Sequence, residues 1–295
     1  MPTLKDVELK IKAVKKTKQI TKAMNMVAAS RLRGSQQMME AFRPYADKFA
    51  EVLGSLSERA GEESSPLIVP REEVKNIHII LCTSDRGLCG GFNANMITKA
   101  KKFAEEQTSK KIGVTFTLFG KKGRDWCKKT EFAMIDQYLG VIGSRFGFEV
   151  ASESGAKFIE KFLAGEYDEV YLVCPQFINM AKQPPVIKKI LPIPPIEKQE
   201  EVNEDKAYMP EHICEPSPEE LLQDMLPKNV YSQIYSALLE TSTSEHAARM
   251  TAMDNATKAC NDMIGNLTLA YNKARQAAVT SELMDIVGGA EALKG

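Results

Sequence analysis

The sequence predicts an α/β domain with a mainly parallel sheet, carried between two long terminal helices that pair antiparallel as a coiled coil. Three observations predict it. Both ends of the chain place apolar residues at steps of three and four over spans far longer than an ordinary globular helix. Between them, short β-branched and aromatic runs alternate with segments of helical period. A proline-rich, acidic stretch then separates this middle part from the last helix. The expected parts are an N-terminal coiled-coil helix over 1–60, the α/β domain over 72–195, an acidic linker over 196–217 and a C-terminal coiled-coil helix over 218–295.

In the first helix Leu4, Val7, Ile11 and Val14 step by three and four. After a slip in register Thr17, Ile20, Met24 and Val27 do the same. Ala28, Leu32, Ser35, Met39, Phe42, Ala46, Phe49, Leu53 and Leu56 then continue without a break. A seam of that length, with register shifts, belongs to a coiled-coil strand rather than to a surface helix. At about 1.5 Å per residue it spans on the order of 80 Å. Pro44 lacks a backbone donor and is expected to bend the helix; the alternative is two shorter helices broken there.

In the middle, "NIHIILCTS", "GVTFTLFG", "DEVYLVCP" and "PVIKKILPI" read as strands, with "EFAMIDQYLG" a weaker fifth. "NANMITKAKKFAEEQ", "KKGRDWCKK" and "FEVASESGAKFIEKFLAG" between them have helical period. The last helix opens with Ser217 as N-cap, Pro218 as its first residue and Glu219 and Glu220 in the first turn, and Pro227 is a candidate break. One seam runs through Tyr231, Ile234, Leu238, Thr241, Glu245 and Ala248. A second runs through Met253, Ala256, Cys260, Met263, Leu267, Ala270, Ala274, Ala277, Ser281 and Met284, whose small residues let a partner backbone come close.

The bulk composition excludes several function classes. Lys+Arg and Asp+Glu are balanced at 39 each, so no global field recruits nucleic acid or an anionic membrane. The charge is unevenly placed: the first 33 residues are basic, with Asp6 and Glu8 their only acids, while the stretch around 194–220 is acidic. The cysteines at 82, 89, 127, 174, 214 and 260 form no CxxC pair and mostly sit in apolar runs, as small buried hydrophobes in a reduced compartment do. The histidines at 78, 212 and 246 are far apart and no zinc-ligand spacing occurs. "MPTLKDVELK" has neither a signal-peptide core nor the look of a transit peptide, and no run reaches membrane-spanning length. An intracellular protein is expected, with membrane association only through a partner.

"AMNMVAAS" (23–30), "NLTLAY" and "QAAVTS" carry no charge on any helix face. A two-stranded coiled coil leaves its outer face in water, where Lys and Glu are usual. A helix that is apolar or small all round is enclosed, so these tips are expected to sit inside a partner.

The stretch "CTSDRGLCGGFN" (82–93) is the best candidate for chemistry, since it lies after a strand and before a helix where anions bind. It lacks the lysine of a Walker loop and the GxGxxG fingerprint, and Cys89 has no local base. A glycine turn is the better reading, with Asp85 and Arg86 organising the loop or facing a partner. HExxH and GxSxG are absent, Glu282 and Asp285 read as a solvated pair on one helix face, and the methionines at 24, 26, 38 and 39 read as packing.

"ITKAMNMVAASRLR", "SDRGLCGGFN" and "YNKARQAAVTSELMDIVGGA" occur in this order across nearly the whole chain and closely resemble the gamma-subunit family of F-type rotary ATP synthases. Val279, Thr280, Glu282, Asp285, Gly289 and Ala290 fall at the spacings of the family's closing signature. The resemblance implies a Rossmann-like central domain and the central-stalk role of a rotor without catalysis of its own. It implies as partners the alternating alpha and beta subunits, the epsilon subunit and the membrane c-ring, and it implies no cofactor or metal. It also implies that the terminal helices turn inside the alpha/beta ring and couple proton flow to ATP synthesis or hydrolysis. By position in the matching motifs it implies coupling contacts at Met24, Arg249, Arg275, Gln276, Thr280 and Glu282, with Arg275 and Gln276 facing a catch loop of beta. Arg86 and Cys89 then belong to a moving contact surface. The regulatory cysteine pair inserted in plant chloroplast relatives is not matched, since that region holds only Cys214, so thiol switching is not expected. The implied location is the cytoplasmic face of a bacterial inner membrane. The residues alone leave open a nucleotide-dependent α/β enzyme and an unrelated coiled-coil scaffold.

Overall fold

A computed structural model describes residues 4–60, 65–194 and 217–293. The expected linker at 196–217, with Cys214 and His212, lies almost wholly outside the described residues. The chain divides into two compact units, residues 29–248 and residues 1–28 with 249–295. These divisions fall within the two long helices, α1 (Leu4–Ala60) and α5 (Pro218–Ala292), rather than at their ends.

Residues 29–248 are built on a five-stranded sheet. Its strands are β1 (Asn76–Cys82), β2 (Gly113–Phe119), β3 (Ala133–Tyr138), β4 (Glu169–Pro175) and β5 (Pro185–Leu191), in the order β3-β2-β1-β4-β5. The first four are parallel and β5 returns antiparallel beside β4. The four parallel strands are joined in chain order through α2 (Phe92–Ser109), α3 (Lys121–Cys127) and α4 (Glu149–Leu163), each drawn from a segment of helical period. β1 is buried on both faces, as a central parallel strand is, whereas edge strand β3 alternates exposed and half-buried residues. One core packs Phe158, Phe162, Ile80 and Leu172 against Leu53 of α1 and Leu222, Ile234 and Leu238 of α5. The other packs Phe92 and Met96 of α2 against Ile79, Phe116 and Leu118.

His78 lies inside this sheet. Its ring nitrogens bond the Thr115 and Thr117 hydroxyls at 2.8 and 2.9 Å, and its ring stacks on Tyr167 with centroids 4.3 Å apart. Burial, with the nearby Lys161 charge second, pushes its pKa down to about 3, so it is a neutral tie between β1 and β2.

α1 runs unbroken through Pro44 and α5 through Pro227, because the packed faces on both sides outweigh one missing donor each. The expected start of α5 holds: the Glu220 N–H donates to the Ser217 hydroxyl at 3.2 Å.

Residues 1–28 with 249–295 form an antiparallel pair of helical segments. Thr21 and Thr257 share a hydroxyl hydrogen bond of 2.8 Å, and Asn25 Nδ2 donates to the Met250 carbonyl at 2.8 Å. The expected slip in α1 does not occur. Thr17 is exposed, its hydroxyl turned back to the Ala13 carbonyl, and Ile20 and Val27 are 60% and 56% exposed. The seam instead continues from Val14 through Lys18, Thr21, Asn25 and Ala28. The physical reason is that a hydroxyl or amide able to reach the opposite helix can be seated inside, so polarity does not mark the outer face here. In α5 the expected seam is displaced at alternate steps. The covered residues are Met253, Thr257, Cys260, Ile264, Leu267, Tyr271, Ala274 and Ala278, with Ala252 and the expected Ala256 half-buried beside them, whereas Met263, Ala270, Ala277, Ser281 and Met284 face outward. That is a regular four–three repeat. It ends at Ala278, where the antiparallel register has used up the described residues of α1.

Candidate functional site

The turn from β1 to α2 is tied together by its own side chains. The Ser84 N–H donates to Asn93 Oδ1 at 2.9 Å, the Ser84 hydroxyl to the Arg86 carbonyl at 2.5 Å, and Asn93 Nδ2 to Cys89 Sγ at 3.1 Å. Asp85 Oδ1 accepts the Lys121 N–H at 3.1 Å, fastening the turn to the start of α3. Left-handed backbone falls at Gly90 and, unforeseen, at Leu88. The Ser84 N–H and the side chains of Ser84, Asp85 and Asn93 are therefore engaged inside the turn.

Cys89, expected on a contact surface, lies on the inner side of this turn. Its side chain is 2% exposed and packs with Phe92 and Met96, because the thiol is used to close the turn. Arg86 is exposed, and beside it Leu88 is 62% exposed. Leu88 was not singled out by the sequence; a leucine between glycines carries no signal of outward direction.

In an open α/β sheet a ligand binds outside the carboxyl ends of the strands where strand order reverses. Here that point lies between β1 and β4, at Cys82 and Cys174. It is covered by the chain's own helix. Ile234, Ala237 and Leu238 pack in one core with both cysteines, and Thr241, next on the same helix, is itself fully buried with its hydroxyl turned back to the Ala237 carbonyl at 2.6 Å. Burial raises the Cys82 pKa and pushes Cys174 up to about 12, the latter with Glu240 nearby adding in the same direction. Neither thiol is a thiolate near neutral pH. The covering stretch Thr241–His246 is buried on every face. Sequence reading treated it as one seam, whereas the run of four small hydroxyl residues was the available sign of close packing all round.

The expected coupling residues belong to residues 1–28 with 249–295, apart from Arg86 and Cys89. Met24 is half-buried, next to Asn25. Arg249 is 8% exposed, so its guanidinium is held among chain atoms rather than displayed. Arg275, Gln276, Thr280 and Glu282 are all exposed, and the Thr280 hydroxyl bonds the Gln276 carbonyl at 2.9 Å. Around them Val279, Leu283, Met284, Ile286 and Val287 are also exposed.

Among the described residues, no group of three or more His, Cys, Asp or Glu could hold a metal ion, and no helix is long and apolar enough to cross a membrane.

Comparison with known proteins agrees with this arrangement. A family model described as ATP synthase matches residues 3–293. The ATP synthase gamma chain of Desulfosudis oleivorans is 66% identical, with all of both chains covered. That of Desulforapulum autotrophicum is 62% identical over 99% of this chain and all of the relative. That of Nitratidesulfovibrio vulgaris strain Hildenborough is 53% identical over all of both. Among solved structures, a chain in the Euglena gracilis mitochondrial ATP synthase (OSCP/F1/c-ring) superposes with a TM-score of 0.68 at 20% identity, covering 98% of this chain and 94% of that one. A chain of the rotor of the same synthase gives 0.66 at 19%, covering 94% and 98%. The likeness to solved structures establishes the shared fold, and the sequence match over the full length places the chain in the ATP synthase gamma-chain family.

Proposed function

We propose that the chain is the central-stalk rotor of a rotary ATP synthase, turning inside a ring of alpha and beta subunits. Its sheet domain meets the epsilon subunit and the membrane c-ring. Proton flow turns the c-ring and this chain with it, and the uneven shaft presents different contacts to each beta subunit in turn. Contacts that differ between states are what shift a state equilibrium. One observation carries the reading: in residues 1–28 with 249–295, polar groups are seated in the seam while Ile20, Met26, Val27 and the residues after Ala278 lie outward. Such a surface is suited to a surrounding sleeve.

Within this reading the chain has no catalytic site of its own. The supporting fact is that α5 fills the crevice where an α/β sheet binds its ligand. Met24, Arg86, Arg275, Gln276, Thr280 and Glu282 are the proposed coupling contacts, with Arg249 acting from its buried place and Leu88 added beside Arg86. The chain lies peripherally on the cytoplasmic face of a bacterial inner membrane, held there through the complex. The proposed parts remain the two terminal helices, the α/β domain and the linker at 196–217.

Truncation tests the reading. Removing the chain from Val279 onward is expected to lower proton-driven ATP synthesis in membranes carrying the complex while the sheet domain stays folded. Unchanged synthesis would count against a rotor whose tip is held in a sleeve.

A further inference from the structure

The loop between β3 and α4, residues 139–148, has more structure than a connection needs. Gly140 and Gly143 both take left-handed backbone, and the Ser144 hydroxyl donates to the Gly140 and Val141 carbonyls at 2.5 and 2.8 Å, closing the loop on itself. Ile142 is buried in the core that also holds Leu53 and Leu238. From this base the loop touches both long helices. Arg31 Nη1 of α1 donates to the Gly143 carbonyl at 3.2 Å. A Cβ on Gly143 would lie 2.8 Å from Glu245 Oε2 of α5, so only glycine fits both the backbone angle and the gap.

The second half of the loop grips an aromatic group. The rings of Phe146 and Phe148 stand edge-on to Tyr235 of α5, with centroids 5.9 and 5.4 Å away. Phe42 of α1 meets the same ring edge-on at 4.8 Å. One turn along α5, the Tyr231 ring lies so close to Gly155 of α4 that no Cβ could be placed there. Tyr231, Tyr235 and Glu245 are thus held at three levels of one helix by a single loop and the helix that follows it.

We propose that residues 139–148, with Gly155, form a clasp that passes torque between the sheet domain and the paired helices, and that Arg31 and Tyr235 are its positioning residues. The inference rests on the rotor reading. The chain passes from residues 29–248 to residues 1–28 within α1 and to residues 249–295 within α5, so those two helices carry a turning force along the chain. Sliding or rolling of either helix against the sheet dissipates that force. The hydrophobic effect itself is non-directional. A hydrogen bond to a fixed carbonyl, edge-on ring contacts and the close approach of Gly155 to the Tyr231 ring are directional, and they add to the resistance of the interdigitated core.

The test uses the assembled complex with its alpha/beta ring immobilised and stalled, and a probe attached to the sheet domain. The width of the probe's angular fluctuation reports torsional stiffness. Arg31→Met and Tyr235→Ala are each expected to widen the angular variance by about twofold, as removal of one of a few directional restraints on a stiff element does. Arg31→Lys keeps a donor and Tyr235→Phe keeps the ring, and both are expected to match the unmodified complex. Unchanged variance in Arg31→Met and Tyr235→Ala would overturn the clasp. So would equal widening in the conservative pair, because that reports general loosening rather than these contacts. If Tyr235→Ala does not assemble, Arg31→Met decides alone, since its side chain is exposed and outside the core. Failure of the rotor reading shows separately, as an unmodified complex in which the probe does not turn during ATP hydrolysis.

Discussion

In residues 29–248 the largest fully buried side chains are Phe116, Phe119, Phe158, Phe162 and their aliphatic neighbours. In residues 1–28 with 249–295 the covered seam takes in Thr21, Asn25 and Thr257, while Ile20, Met26, Val27 and Leu269 face outward. The first unit follows the usual rule that apolar surface goes inside and stabilises the chain by its own burial. The second reverses that order along part of its length. Its polar seam is closed by hydrogen bonds whose net contribution is small, and its apolar surface is left to be covered by something else. The difference separates what each unit needs. The sheet domain is a self-sufficient body, and the helical pair is complete only in company.

The comparison breaks most easily at the centre of the sheet. Phe116 has no exposed surface and meets Trp126 and Phe132 with centroids 5.5 and 5.4 Å away. Phe116→Ala is expected to cost about 3–5 kcal/mol, the usual loss for a buried aromatic side chain. Urea unfolding followed by Trp126 fluorescence measures it cleanly, since Trp126 is the chain's single tryptophan. A loss below about 1 kcal/mol would place the sheet domain among the marginal units rather than the self-sufficient ones.

His78 sharpens the same contrast through pH. Its folded pKa of about 3 lies below the ordinary value of 6.5. Above 6.5 the ring is neutral in both states. As pH falls below 6.5 the unfolded chain takes up the proton and the folded one does not, so stability is lost progressively down to about 3. The expected loss from this group is on the order of 4 kcal/mol across that window. His78→Gln cannot titrate there, and its stability is expected to fall less steeply between pH 6.5 and 4, the remaining slope coming from carboxylates. Parallel slopes for the two proteins would show that His78 is not held neutral by burial.

The two units also differed in how far they were legible in the sequence. Every strand and helix of the sheet domain stood in the sequence, down to the weak strand at Ala133–Tyr138, because apolar runs and helical periods follow directly from which residues are buried. The long helices were legible as helices, but their facing was not. Ile20, Met24 and Val27 were placed in the seam as apolar residues at helical spacing, and Thr21 and Asn25 were not part of it. That rule presumes the surroundings are water. Where the surroundings are another protein, hydropathy no longer separates the two faces, and the register of Thr21 with Thr257 decides instead. Cys89 shows the same limit at the turn. Its place in a motif pointed to function, but only the structure could show whether its thiol faced out or in.

The smallest effect tests the reversed order directly. Asn25→Ala removes the bond from Nδ2 to the Met250 carbonyl and is expected to weaken residues 1–28 with 249–295 by about 1 kcal/mol. Ile20→Ser, one turn away, removes a large apolar side chain that is 60% exposed, and in the isolated chain it is expected to change stability by less than about 0.5 kcal/mol. Amide hydrogen exchange over residues 18–28 of the full chain reads both: faster for Asn25→Ala and nearly unchanged for Ile20→Ser. In the assembled complex the order should invert, with Ile20→Ser lowering ATP synthesis more than Asn25→Ala, because the isoleucine then has neighbours to lose. If Ile20→Ser instead weakens the isolated chain as much as Asn25→Ala does, the outward apolar residues are stabilising the helix pair itself, and the surface has no need of a sleeve.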